Sequence, residues 1–157
     1  MTSKKDTPVA IVLGSKSDRT VMAECKKILN HFKIGFSESI LSAHRTPRET
    51  ADFAENAEAN GYRVIIAAAG MAAHLPGVLA SYTTLPVIGV PMGGSSLSGL
   101  DSLYSIVQMP SGVPVATMAI GAAGAANAAI FAAKILSLQD SALQERLHEF
   151  KKQGCRI

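Results

Sequence analysis

Three short stretches hold most of the side chains in this sequence that could grip an anion or move a proton. GSKSD, residues 14–18, supplies Ser15, Ser17 and Asp18. Where such a loop opens a helix, free backbone N–H groups and hydroxyls suit a phosphate. A phosphate would repel Asp18, so a sugar hydroxyl is its better partner. The plainer alternative is that Ser17 or Asp18 only caps the helix. SAHRTP, residues 42–47, adds Arg45, a planar cation suited to phosphate, and His44, which can act as acid or base near neutral pH. Its plainer alternative is a surface arginine and a histidine bonded to backbone. AGMAAHLPG, residues 69–77, is built of small residues that would let a flat ring lie against the backbone. His74 sits near its end; taken alone, it is expected to pack under a helix start. His31 and His148 read as solvent-facing helical residues without a chemical role. GSKSD is not a Walker motif and lacks G-x-G-x-x-G. No H-E-x-x-H, paired cysteines or carboxylate cluster offers a metal site, and no Ser-His-Asp order is evident.

The elements that must position these stretches alternate between two periods. Val9–Leu13 is an apolar run ending at Gly14, which reads as a buried parallel strand. From Arg19 to Phe32, Val21, Met22, Cys25, Ile28, Leu29 and Phe32 recur at helical spacing. Phe36–Leu41 reads as a second strand. The next helix should be capped by Thr46, take Pro47 at its first position, close a capping box with Glu49 and run towards Gly61. Val64–Ala68 is a third strand, followed by a short helix near Val78–Tyr82. Pro86–Val90 is a fourth, followed by a Gly/Ser-rich loop over 92–99 and a helix that Asp101 could cap. Val115–Ile120 is a fifth strand, Ala122–Leu138 an alanine-dominated helix, and residues from Ser141 onward a last helix with Leu143, Leu147 and Phe150 on one side. This order predicts a single α/β domain over residues 1–157, core at about 8–140 and a C-terminal helix and tail at 141–157. It should be a three-layer, flavodoxin-like fold with a five-stranded parallel sheet. Ligands bind at the carboxyl ends of such strands, the edge on which all three stretches fall.

Composition narrows the function classes. The chain has 157 residues, 48% hydrophobic and 17% charged, with a net charge of +3; this suits one ordered domain. The basic excess lies partly at the ends, in Lys4, Lys5, Lys151, Lys152 and Arg156, and there is no tryptophan and no basic stripe with aromatics between. A nucleic-acid partner is not expected. Cys25 and Cys155 are too few for a disulfide framework, and the first residues lack a signal peptide's apolar core, so a cytoplasmic location is expected. Between Val64 and Ala133 the only formal charge is Asp101. A membrane span at 113–133 is set aside, because Pro114, Thr117, Gly121, Gly124 and Asn127 interrupt it and its apolar content is mostly alanine. The alternative is burial, part of it between subunits.

Read in order, GSKSD, SAHRTP, AGMAAHLPG, LPVIGVP, DSLYSIVQMP, GVPVATMAIG and AGAANAA resemble the PurE family of N5-carboxyaminoimidazole ribonucleotide mutases, over about residues 8–140. The forms AHLPG and SIVQMP are closer to the bacterial mutases than to the members that carboxylate aminoimidazole ribonucleotide directly with CO2. Met71 and Ala68 stand where glycine is common in the family, and MGGSSLSG (92–99) departs in detail.

The resemblance implies an isomerase of de novo purine biosynthesis, assembled as a homo-octamer, with no metal and no organic cofactor. It implies a ribonucleotide substrate, no nucleic-acid or membrane partner, and transient contact with the upstream synthetase as a possibility. It assigns catalysis to His44, and phosphate and ribose contacts to Ser15, Ser17, Asp18, Ser42 and Arg45, with Ala43 beside them. Ala69, Gly70, Met71, Ala72, Ala73, His74 and Leu75 would hold the imidazole and the migrating carboxylate, mainly through backbone groups. The nearest rival is the direct carboxylase. A more distant one is a receiver-like or flavin-binding signalling module. It lacks support: Ala67-Ala68-Ala69 end strand three where a receiver needs an aspartate, and aromatics are only 5%.

Overall fold

Strand β1 (Val9–Leu13) is wholly buried, as a β-rich run with no charge must be at the middle of a sheet. A computed structural model describes residues 7–157; Lys4 and Lys5 lie outside the described residues. After β1 come a 3₁₀ turn (Lys16–Asp18), α1 (Arg19–His31), β2 (Phe36–Ile40), α2 (Pro47–Asn56), β3 (Val64–Ala69), α3 (Leu75–Tyr82), β4 (Val87–Pro91), α4 (Leu100–Val107), β5 (Ala116–Thr117), α5 (Ala122–Ser137) and α6 (Ser141–Lys152). The strands pair in the order β2-β1-β3-β4-β5, all parallel. This is the flavodoxin-like order, with its switch point between β1 and β3.

Alternation along the strands builds two cores. Val9, Ile11, Leu13, Val64, Ile66, Ala68, Ile88 and Val90 face one side and pack under α1, α5 and α6. Ala10, Val12, Ile65, Ala67, Ala69 and Val87 face the other, against residues of α2, α3 and α4. The alanine stripe of α5, Ala125, Ala128, Ala129, Ala132 and Ala133, is fully buried and lies against α1. At Gly124 the first turn of α5 lies so close to the segment leading into it that a Cβ would collide with the carbonyl oxygen of Ala119. Phe150 of α6 packs edge-on against Phe32, ring centroids 5.3 Å apart. His31 stays exposed and rests against Phe32.

Four sequence expectations need correction. The Thr46–Glu49 capping box does not form. The Thr46 hydroxyl turns back instead, accepting from the Ser42 N–H at 2.9 Å. That helix also stops at Asn56, with turns leading to Gly61, whose φ of 92° only glycine takes freely. Asp101 does not cap α4; Gly99 is the cap residue, and the Asp101 carboxylate accepts from the Ser95 hydroxyl at 2.7 Å. The fifth strand is two residues long rather than six. Beyond Thr117 only single bonds reach β4, Met118 N–H to Gly89 O and Gly121 N–H to Pro91 O. Pro91 has no N–H to return, and at Gly121 the chain turns away into α5.

Candidate active site

Parallel strands deliver their following loops to one edge, and here four loops enclose a recess of about 530 Å³. That size suits a small molecule. It sits at the switch point: β1 leads into α1 on one face of the sheet, while β3 leads into α3 on the other.

The loop after β1 is tied to itself. Ser15 is extended, with φ −149°. Its hydroxyl accepts from the Ser17 N–H at 3.3 Å and the Ser17 hydroxyl at 2.9 Å, while its own N–H donates to Asp18 Oδ2 at 2.9 Å. A reciprocal cap thus exists at GSKSD rather than at SAHRTP. Burial pushes the Asp18 carboxyl above its usual 3.8, with the Ser15 amide and Ser17 hydroxyl pulling the other way.

The loop after β2 is a tight turn closed by Ser42 and Thr46. Ser42 accepts the Thr46 N–H at its carbonyl, 2.8 Å, and the Arg45 N–H at its hydroxyl, 3.2 Å. The turn leaves the side chains of His44 and Arg45 exposed beside one another. Among the described residues Arg45 forms no ion pair, so its guanidinium is available to an incoming anion.

The loop after β3 is short of side chains. Met71 holds φ 56° and is 67% exposed at the mouth. Left-handed backbone explains why a glycine would sit easily there. The Ala73 N–H bonds to Met71 O and the His74 N–H to Ala72 O, at 2.9 and 2.8 Å. These bonds bend the chain so that His74 takes the cap position of α3. Its ring does not pack under the helix, as the sequence alone suggests. Instead His74 Nδ1 lies 2.7 Å from His44 Nε2, the rings crossing at 86°.

Of the residues singled out in sequence, Ser15, Ser17, Asp18, Ser42, Ala43, His44, Arg45, Ala69, Gly70, Met71, Ala72, His74 and Leu75 all line the recess. Ala73 does not; it is 1% exposed and belongs to the core. Sequence reading missed the fourth wall, Met92, Gly93, Gly94 and Ser95, along with Gly14 and Val21. The signal was present: a Gly/Ser-rich loop after a fourth parallel strand must reach the same edge. Ser95 holds that wall, its hydroxyl accepting from the N–H groups of Leu97 and Gly99 while donating to Asp101. Among the described residues no group of three or more His, Cys, Asp or Glu could hold a metal ion, and no helix is long and apolar enough to cross a membrane.

An α/β protein of flavodoxin-like topology, with an arginine, two histidines and a hydroxyl-rich loop at its switch point, has the makings of an enzyme acting on a small phosphorylated molecule. The sequence profile described as "AIR carboxylase" matches residues 8–156, and the chain belongs to that family. It is 55% identical to the N5-carboxyaminoimidazole ribonucleotide mutase of Haemophilus influenzae, over 94% of this chain and 90% of that protein. It is 54% identical to the mutase of the same name from Escherichia coli, over 96% and 90%. The fold is similar to the crystal structure of Treponema denticola PurE, with a TM-score of 0.84 at 28% identity, covering 94% of this chain and 90% of that one.

Proposed function

We propose that this protein is an N5-carboxyaminoimidazole ribonucleotide mutase of purine biosynthesis, an isomerase that moves CO2 from the exocyclic nitrogen to ring carbon C4. The observation that carries this reading is the adjacency of His44 and Arg45 in a recess whose other walls are mostly backbone, small side chains and hydroxyls. One cation for a remote phosphate and one proton carrier at the ring are what the reaction needs. Relatives sharing about half their residues with this chain carry the mutase name, which favours it over the direct carboxylase.

The chemistry follows from balance. The carbamate C–N bond breaks to give CO2 and an electron-rich aminoimidazole, and the exocyclic nitrogen gains a proton. C4 then attacks CO2, and the C4 proton leaves. One proton is given and one is taken, so a single histidine serves both halves. His44 is that group. Arg45, with Ser15, Ser17 and Ser42, anchors the phosphate, and Asp18 accepts from a ribose hydroxyl. Binding energy is gathered far from the reacting carbon, where it orients the ring. Ala69, Gly70, Met71, Ala72, His74 and Leu75 flank the imidazole, and Ala43 adjoins it. Free CO2 is kept from escaping by a tight wall of small residues. The reaction as written consumes no electrons and no nucleotide triphosphate. We further read the protein as a single cytoplasmic domain that works as a homo-octamer and meets the upstream synthetase transiently.

The test is incubation of the purified protein with N5-carboxyaminoimidazole ribonucleotide, following 4-carboxyaminoimidazole ribonucleotide without added ATP or metal. Rapid conversion is expected. Slow conversion there, with efficient product formation from aminoimidazole ribonucleotide and bicarbonate, would instead make it the carboxylase.

A further inference from the structure

His44 Nε2 and His74 Nδ1 lie 2.7 Å apart. Two nitrogens at that distance must share a hydrogen, because two lone pairs or two N–H groups would repel. We propose that His74 is a positioning residue for His44. It accepts the Nε2–H of His44 at its own Nδ1 and leaves His44 Nδ1 as the one nitrogen that trades protons with the substrate. This rests on the mutase reading and on His44 as the proton carrier.

The proposal fits the proton balance of the reaction. As the carbamate C–N bond breaks, protonated His44 gives its Nδ1 hydrogen to the exocyclic nitrogen. As the C4–CO2 bond forms, the C4 proton passes to the same Nδ1, and His44 ends as it began. The Nε2 hydrogen takes no part in either step, provided something holds it. A ring free to turn would present either nitrogen. With His44 Nε2–H donating, His74 Nδ1 must be bare, so His74 carries its own hydrogen on Nε2.

Nothing else in the recess does this job. Its charged or titratable lining groups are Asp18, Arg45 and the two histidines. Asp18 is held by the Ser15 N–H, and among the described residues neither Asp18 nor Arg45 bonds to either ring. In hydrolytic triads a carboxylate orients the catalytic imidazole. Here a neutral ring fixes direction without placing another negative charge where a carboxylate must form. The partner is itself held firmly: the His74 N–H donates to Ala72 O at 2.8 Å, and its carbonyl accepts the Val78 N–H at 2.9 Å.

The experiment compares His74→Ala and His74→Asn in the full chain with nitrogen-15 histidine NMR of the ligand-free wild type. Asn is chosen because its Oδ1 falls near the place of Nδ1 and keeps an acceptor. His74→Ala is expected to lower kcat about 10- to 100-fold while nucleotide affinity stays within about 2-fold. His74→Asn is expected to return kcat to within about 5-fold of wild type. The NMR spectrum should show His44 as the Nε2–H tautomer. Wild-type kcat in His74→Ala, an Asn variant as slow as the Ala variant though folded, or His44 as the Nδ1–H tautomer would each overturn the proposal. If wild type converts no N5-carboxyaminoimidazole ribonucleotide, the reaction reading fails by itself. The tautomer then still decides the pair, as it does if the Ala variant does not fold.

Discussion

His44 and Arg45 are neighbours in sequence, yet the reading separates their tasks, and so should mutation. His44→Asn is expected to retain nucleotide binding and lose turnover by at least about 100-fold, since general acid–base catalysis contributes on that scale. Arg45→Ala should weaken nucleotide affinity about 10- to 100-fold, because a charge-assisted phosphate contact is lost, with a smaller change in kcat. A binding titration beside steady-state kinetics checks both, and Arg45→Ala with unchanged affinity would remove the phosphate role. Asp18 makes a different prediction. Burial raises its carboxyl above the usual 3.8, so the folded chain holds that proton more readily than the unfolded one. Stability therefore falls as pH rises from 3.8 through the folded value, and the cost persists above it. Asp18→Asn, which never ionises, should gain thermal stability relative to wild type between pH 3 and pH 7, while binding nucleotide less well. A melting-temperature difference that does not change with pH would refute this. The residues that line the recess were mostly legible because the types that could do chemistry are few and their loops share an edge. The His44–His74 contact was not, because 30 residues separate them and only the bend at 71–74 brings the rings together.

At the scale of elements, period and punctuation were informative wherever burial sets the pattern. The limits of β1 match the structure, and those of β3 and β4 differ by a residue, since buried parallel strands are continuous apolar runs ending at small or turn residues. Legibility failed where two local options competed. Thr46 could bond forward to a helix N–H or back to Ser42, and the tight turn around Arg45 settled it backward. The stretch Val115–Ile120 has strand composition, but the proline ending β4 and the turn at Gly121 shorten the ladder. The start of α5 gives this scale its sharpest test. Gly124→Ala inserts a methyl group against the Ala119 carbonyl and should cost about 1–3 kcal/mol or more, as overpacking does. A denaturant titration with a midpoint equal to wild type would show that the helix start can yield.

For the whole molecule, the outer face of α4 is unusual. Leu100, Tyr104 and Val107 are all exposed, Tyr104 to 60%, with Leu97 beside them at 63%. Ser102 and Ile106 already anchor the inner face. Apolar side chains spaced like this along one helix are rare on a monomer's free surface. The near absence of charge from 64 to 133 hinted at such a face; it could not say how many copies meet. The homo-octamer reading predicts a species of eight chains by sedimentation at micromolar concentration, and Tyr104→Asp should shift it toward smaller species. A wild-type chain sedimenting as one copy would contradict that reading.

The walls of the recess at Gly14, Gly70, Gly93 and Gly94 are already as small as amino acids allow. At Gly70 even one added carbon would come within 3.2 Å of Met92 Cβ. Point substitution at these positions can therefore make the chamber tighter but not roomier. A descendant that accepts a bulkier heterocycle on that side would have to get there by lengthening or re-routing a loop, and engineering there should begin with insertions rather than with a saturation library at these four codons.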